Sequence, residues 1–178
     1  MKQIFLLASL FLFIIACNTA TETKEETKTT DTKNTGPGTI AATYTSSFET
    51  GDISLAEKAV LNSWKNWEAN NFDGLSDFLA DSVNAYYGDG TEFSGTKDSL
   101  IASWKRTRAS IASVVDSVNA YTTITSTKEK ENWGLIWVTE YTTDSKGVKD
   151  TTSYQETWRF NKDGKADLVY QFQRKRKK

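Results

Sequence analysis

The chain has 178 residues with 22 basic and 23 acidic side chains, and a formal net charge of −1 gives no reason to expect a polyanionic partner such as nucleic acid. It has no histidine, which excludes Ser-His-Asp and Cys-His catalysis, histidine-based zinc sites and the usual acid/base of neutral pH. Its single cysteine excludes an internal disulfide, and its length fits one ordinary domain plus a tether, with enough aromatic side chains for a real core.

The start of the chain has the layout of a secretory signal: Lys2 as a short positive n-region, an apolar run from Ile4 to Ile15, and small Ala16 before Cys17. A membrane span needs about 20 apolar residues, and here a polar, threonine-rich stretch follows Cys17 at once. Ile14-Ile15-Ala16-Cys17 resembles the bacterial lipobox. That resemblance implies cleavage after residues 1–16, diacylation of Cys17, export across the inner membrane and a lipid anchor at the bacterial cell envelope. An ordinary secretory signal with a chance cysteine is the alternative. Residues 17–47 are rich in Thr, Lys and Glu and carry Gly36-Pro37-Gly38. Such a segment buries too little apolar surface to offset its ordering entropy and reads as a disordered tether, reaching on the order of 30 Å. Tyr44 and Phe48 mark a soft boundary with a domain over 48–173.

The domain opens on a capping box, Ser54 with Glu57, and Val60, Leu61, Trp64 and Trp67 share one helical face, which predicts a helix to about Asn70. Phe72 to Leu79 reads as a second, short helix with Phe72, Leu75, Phe78 and Leu79 inward. Val83 to Tyr87 alternates as a strand, Gly88-Asp89-Gly90 turns the chain, and Thr91 to Phe93 returns it. Thr96 is a candidate N-cap for a third helix whose inner stripe is Leu100, Ile101, Trp104 and Arg108. Asp89, Glu92 and Asp98 fit no calcium loop.

Val114 to Thr127, Asn132 to Thr142, Thr151 to Phe160 and Ala166 to Gln173 are dense in β-branched and aromatic residues, which predicts an antiparallel meander. Lys162-Asp163-Gly164 fits a three-residue hairpin loop closed by a glycine bulge, so Asn161 pairs with Lys165, Trp158 with Leu168 and Glu156 with Tyr170. A turn centred on Ser145-Lys146 places Trp137 opposite Tyr154 and Trp133 opposite Trp158. Both registers gather Trp133, Leu135, Trp137, Tyr154, Trp158, Phe160, Leu168, Tyr170 and Phe172 on one face around Glu156. The other face is semi-polar, with Glu140, Gln155, Arg159 and Gln171. Residues 174–178, Arg-Lys-Arg-Lys-Lys, read as a frayed, solubilising basic tail.

The order long helix, short helix, short hairpin, helix, long meander, with Tyr86-Tyr87-Gly88-Asp89-Gly90-Thr91-Glu92-Phe93-Ser94-Gly95 leading into Leu100-Ile101, resembles the NTF2-like superfamily and its SnoaL-like members over Leu55 to Gln173. The resemblance implies an α+β fold in which a curved antiparallel sheet wraps three N-terminal helices into a cone. It also admits two functions, because the superfamily holds isomerases, dehydratases and cyclases beside non-catalytic binding and dimerising domains. One reading is a non-catalytic lipoprotein that binds a small apolar, flat or sugar-like ligand, or pairs as a homodimer through the outer sheet face. The other is a cofactor-free enzyme with Glu156 as general base and Tyr170, Tyr154 and Tyr86 as hydrogen-bond donors. Against the enzyme stands a buried structural Glu156, satisfied by a Tyr hydroxyl, a Trp N–H or Arg108. Trp64, Tyr86, Trp104, Trp137, Tyr154, Trp158 and Tyr170 are the side chains expected to wall a ligand, although aromatics are as readily core.

Overall fold

A computed structural model describes residues 42–175; the apolar leader, Cys17 and most of the tether lie outside the described residues. Strand β1 (Phe48–Thr50) is followed by a helical run at 53–68, made of α1 (Ile53–Ala59), a π-helical segment (Val60–Lys65) and α2 (Asn66–Glu68). The N-cap is Asp52, whose side chain accepts from the Ser54 N–H, so the helix starts two residues earlier than a cap at Ser54 would place it. Wider i→i+5 spacing in the π segment changes the phase of the helix. Val60 and Trp64 are buried, but Leu61, expected inward, is 59% exposed.

Helix α3 (Asp73–Phe78) buries Leu75 and Phe78, with Phe72 and Leu79 buried at its ends. Strands β2 (Leu79–Tyr86) and β3 (Glu92–Thr96) form the short hairpin, and α4 (Lys97–Arg108) starts on Thr96, whose hydroxyl accepts from Ser99 N–H. The expected inner stripe holds: Leu100, Ile101 and Arg108 are buried and Trp104 packs against the core. Arg108 donates to the carbonyls of Trp67, Glu68 and Ile111, tying the end of the first helical run to the start of the meander.

The meander is β4 (Ile111–Ser126), β5 (Asn132–Asp144), β6 (Lys149–Phe160) and β7 (Ala166–Lys175). It is the centre of a seven-stranded sheet of order β1-β4-β5-β6-β7-β2-β3, antiparallel except where β2 runs parallel to β7. Two residues read as frayed tail, Arg174 and Lys175, pair with Ser153 and Thr152. Residues read as tether also touch the domain: the Tyr44 ring packs edge-on to Trp133, and Ser47 accepts from Thr127.

The register of the meander differs from the expected one, and this moves the site. At the β5–β6 turn Gly147 takes a left-handed φ of +82°, and Asp144 N–H bonds Val148 O, so the loop holds three residues rather than two. Asp144 caps it by accepting from the Lys146 and Val148 N–H groups, as Asn161 does for Asp163 and Lys165 in the next hairpin. Ile136 therefore faces Glu156, Val138 faces Tyr154 and Gly134 faces Trp158. The second turn is as expected, with Asn161 paired to Lys165, but a bulge follows. Phe160 pairs with Ala166 and Arg159 with Leu168, leaving Asp167 as the extra residue, held by the Arg159 guanidinium at 2.9 Å. Glu156 then pairs with Gln171 and Trp158 with Val169.

These single-residue shifts send alternate side chains of β5 and β7 to the opposite face. The inner face carries Ile136, Val138, Glu140, Tyr154, Glu156, Trp158, Phe160, Val169 and Gln171; Trp133, Leu135, Trp137, Tyr170 and Phe172 lie on the outer one. Inner-face residues and the helices share a core of Val60, Trp64, Leu75, Phe78, Leu79, Val83, Leu100, Ile136, Val138, Trp158 and Phe160. The Phe78 ring sits 5.0 Å from that of Trp158 and 6.1 Å from that of Phe160, both edge-on.

Candidate functional site

Between the inner sheet face, the π segment and α4 lies a solvent-connected cavity of about 410 Å³, within the range of small-molecule sites. Strand alternation puts Glu140 from β5, Tyr154, Glu156 and Trp158 from β6, and Val169, Gln171 and Gln173 from β7 on its floor. The helices supply Ser63, Trp64, Trp67, Ser103, Trp104 and Thr107, and the β2–β3 hairpin supplies Tyr87, Asp89 and Thr91.

Glu156 is 4% exposed. One carboxylate oxygen accepts from the indole N–H groups of Trp64 and Trp158, each at 2.8 Å, and the other from the Gln171 side-chain amide at 2.8 Å. Desolvation raises its pKa, and the charge of Glu140 adds to the rise, against the three hydrogen bonds that favour the anion. Glu140 repeats the pattern with Trp67 Nε1 at 2.8 Å and Tyr154 Oη at 3.3 Å. Burial raises its pKa too, opposed by those two donors and by the charge of Arg108. The Tyr154 hydroxyl is in turn raised by burial and by the neighbouring Glu140. Trp104 Nε1 donates to Tyr87 Oη at 2.9 Å.

Behind Glu140, its cross-strand partner Asp116 on β4 is 6% exposed and has no hydrogen-bond partner for either carboxylate oxygen. Desolvation, with repulsion from Glu140 and Glu68, pushes its pKa up to about 8. The nearby Lys65 Nζ bonds the Asp116 backbone carbonyl and pairs with Glu68, not with the Asp116 carboxylate.

Of the side chains expected at a ligand, Trp64, Trp104, Tyr154 and Trp158 line the cavity around Glu156. Tyr86, Trp137 and Tyr170 do not. The register shifts put Trp137 and Tyr170 on the outer face, where Tyr170 stacks on Tyr86 with centroids 5.1 Å apart. Tyr87, one residue along, reaches the cavity instead. Glu140, Trp67 and Gln171 also belong to the site, and the expected register had sent Glu140 and Gln171 outward. The signal for Glu140 was present: Asp144 and Gly147 repeat the spacing of Asn161 and Gly164, so both turns carry the same loop chemistry. Arg108, a possible partner of Glu156, is occupied by backbone carbonyls instead.

No family model matches the chain, and no curated protein sequence does either. Solved structures do. An LEH-like epoxide hydrolase from Mycobacterium tuberculosis superposes with a TM-score of 0.57 at 11% identity, over 70% of this chain and 86% of its own. An NTF2-like protein of unknown function from Burkholderia pseudomallei gives 0.54 at 20% identity, over 67% and 90%. A candidate SnoaL-like polyketide cyclase from Shewanella denitrificans gives 0.52 at 12%, over 67% and 90%. The chain has the NTF2-like fold, as its order of elements led us to expect.

Proposed function

We propose that this chain is a lipoprotein of the bacterial cell envelope, anchored through Cys17, whose NTF2-like domain binds a small organic ligand in the inner-face cavity without transforming it. The observation that carries the binding reading is the cavity itself, open to solvent and walled by aromatic rings around two acids. The non-catalytic part rests on how Glu156 is held. A general base needs a lone pair aimed at the proton it removes, and three of the roughly four acceptor sites of the Glu156 carboxylate are already taken by the Trp64, Trp158 and Gln171 N–H groups. Native mass spectrometry of the purified chain tests the reading. A co-purifying small molecule that is recovered unchanged supports it, and steady conversion of that molecule contradicts it.

The second reading is a cofactor-free isomerase, dehydratase or cyclase with Glu156 as base. Its support is that Glu156 borders the open cavity and has a raised pKa. Loss of turnover in Glu156→Gln protein that still binds its ligand would establish this enzyme. The anchor is tested separately: Cys17→Ser protein should leave the membrane fraction, and a variant still acylated and membrane-bound would remove the lipoprotein reading. For the outer sheet face, where Phe48, Tyr86, Tyr170 and Phe172 are exposed, we propose a second copy of this chain as partner, since an exposed apolar patch of this kind marks an association surface.

A further inference from the structure

The cavity is one-sided in charge. Asp89, Glu140 and Glu156 line it, and among the described residues no lysine or arginine does. Buried carboxylates ordinarily have a cation beside them, but here the nearest candidates are engaged elsewhere. Arg108 spends its guanidinium on three carbonyls, and Lys65 pairs with Glu68. Indole and amide N–H groups satisfy the geometry of Glu140 and Glu156 without supplying a full positive charge. Asp116, buried and unpartnered behind Glu140, keeps its proton at neutral pH and so adds no charge of its own, but it too has no cation bonded to its carboxyl group.

Six aromatic side chains share the wall, Trp64, Trp67, Trp104, Trp158, Tyr87 and Tyr154, alongside neutral polar and aliphatic ones. Aromatic faces attract cations through the ring quadrupole, and most strongly where water is excluded. An anionic ligand would meet two buried acids with no cation bonded to either and only the Arg108 charge nearby. A neutral apolar ligand would leave their charge unanswered. We infer that the cavity takes an organic cation, an amine or ammonium head set toward Glu140 and Glu156 with its apolar body against the indoles. This rests on the reading of the cavity as a ligand site and replaces the apolar ligand expected from the sequence with a charged one.

Three probes of one shape separate the possibilities: phenethylamine, 2-phenylethanol and phenylacetate, titrated calorimetrically into the full-length chain. The cation should bind at least about tenfold more tightly than the alcohol, as a desolvated cation–aromatic and carboxylate site provides, and the carboxylate should not bind. In Glu140→Gln/Glu156→Gln protein the preference for the cation should disappear while the alcohol still binds, which also reports that the cavity is intact. If the alcohol or phenylacetate equals or exceeds the amine, the cationic class is wrong and the ligand-site reading survives. If none of the three binds at about 10 mM, the weak end of a specific site, both fall together.

Discussion

Glu156 sits among donors: two indoles and an amide all point N–H groups at it. The distinction between Gln and Leu at this position follows directly. A glutamine can present its carbonyl to both indoles and its amide to Gln171, provided Gln171 turns its own amide over. Glu156→Gln is therefore expected to fold within about 1 kcal/mol of the parent. Glu156→Leu leaves two buried indole N–H groups and the half-buried Gln171 amide without an acceptor and is expected to cost on the order of 3 kcal/mol in chemical denaturation. Asp116 behaves differently, because it has no partner to lose. Its folded pKa of about 8 lies above the ordinary 3.8, so between those values the folded state holds more protons than the unfolded one. The stability it permits is fully present below about pH 4 and is lost as pH rises through 8. Asp116→Asn should accordingly match the parent near pH 4 and exceed it by on the order of a few kcal/mol near pH 9. Melting curves across that range check it, and a parent that gained stability with rising pH relative to Asp116→Asn would contradict the assignment.

Among the elements, helices α3 and α4, the Thr96 cap and the meander were legible in the chain because each is a local pattern: an apolar stripe, a capping hydroxyl, a run of β-branched residues. The faces of β5 and β7 were not, because a face depends on counting residues through a turn. On β6 the expected inner side chains Tyr154, Glu156, Trp158 and Phe160 do face the helices, while both neighbouring strands are shifted by one. Gly147 marks the first shift, and its aspartate-capped turn was readable by comparison with the next hairpin. The Asp167 bulge was not readable, since it lies where β7 meets two irregular partners, Arg159–Phe160 on β6 and Leu79–Asn84 on β2. Leu61 was misplaced for a related reason, a π segment that an α-helical period does not anticipate. Gly147→Ala, in open space but at φ +82°, should cost about 1 kcal/mol by backbone strain alone. Leu61→Gln should be neutral within about 0.5 kcal/mol. A two-state urea titration distinguishes them, and a sensitive Leu61 would return that residue to the core.

For the whole molecule, the one-residue shifts exchange the character of the two sheet faces. Inside, aromatic rings share the site with buried acids; outside, Trp133, Trp137, Tyr170 and Phe172 form the apolar surface that had been expected to be semi-polar. Phe172, at 58% exposed, is the most accessible of these rings. If two copies meet there, the full chain carrying Cys17→Ser should scatter light as a dimer, and adding Phe172→Lys should return it to the monomer mass. A parent that is monomeric at high concentration would contradict the pairing. The same division of faces provides an internal control for the central claim, that the inner cavity is the ligand site. Of the six tryptophans, Trp64, Trp67, Trp104 and Trp158 line the cavity, while Trp133 and Trp137 lie on the outer face. Titrating phenethylamine into ¹⁵N-labelled protein and following the six indole N–H resonances should move the first four and leave the last two in place. Movement of Trp133 and Trp137 alone, or of none of the six, would contradict the account.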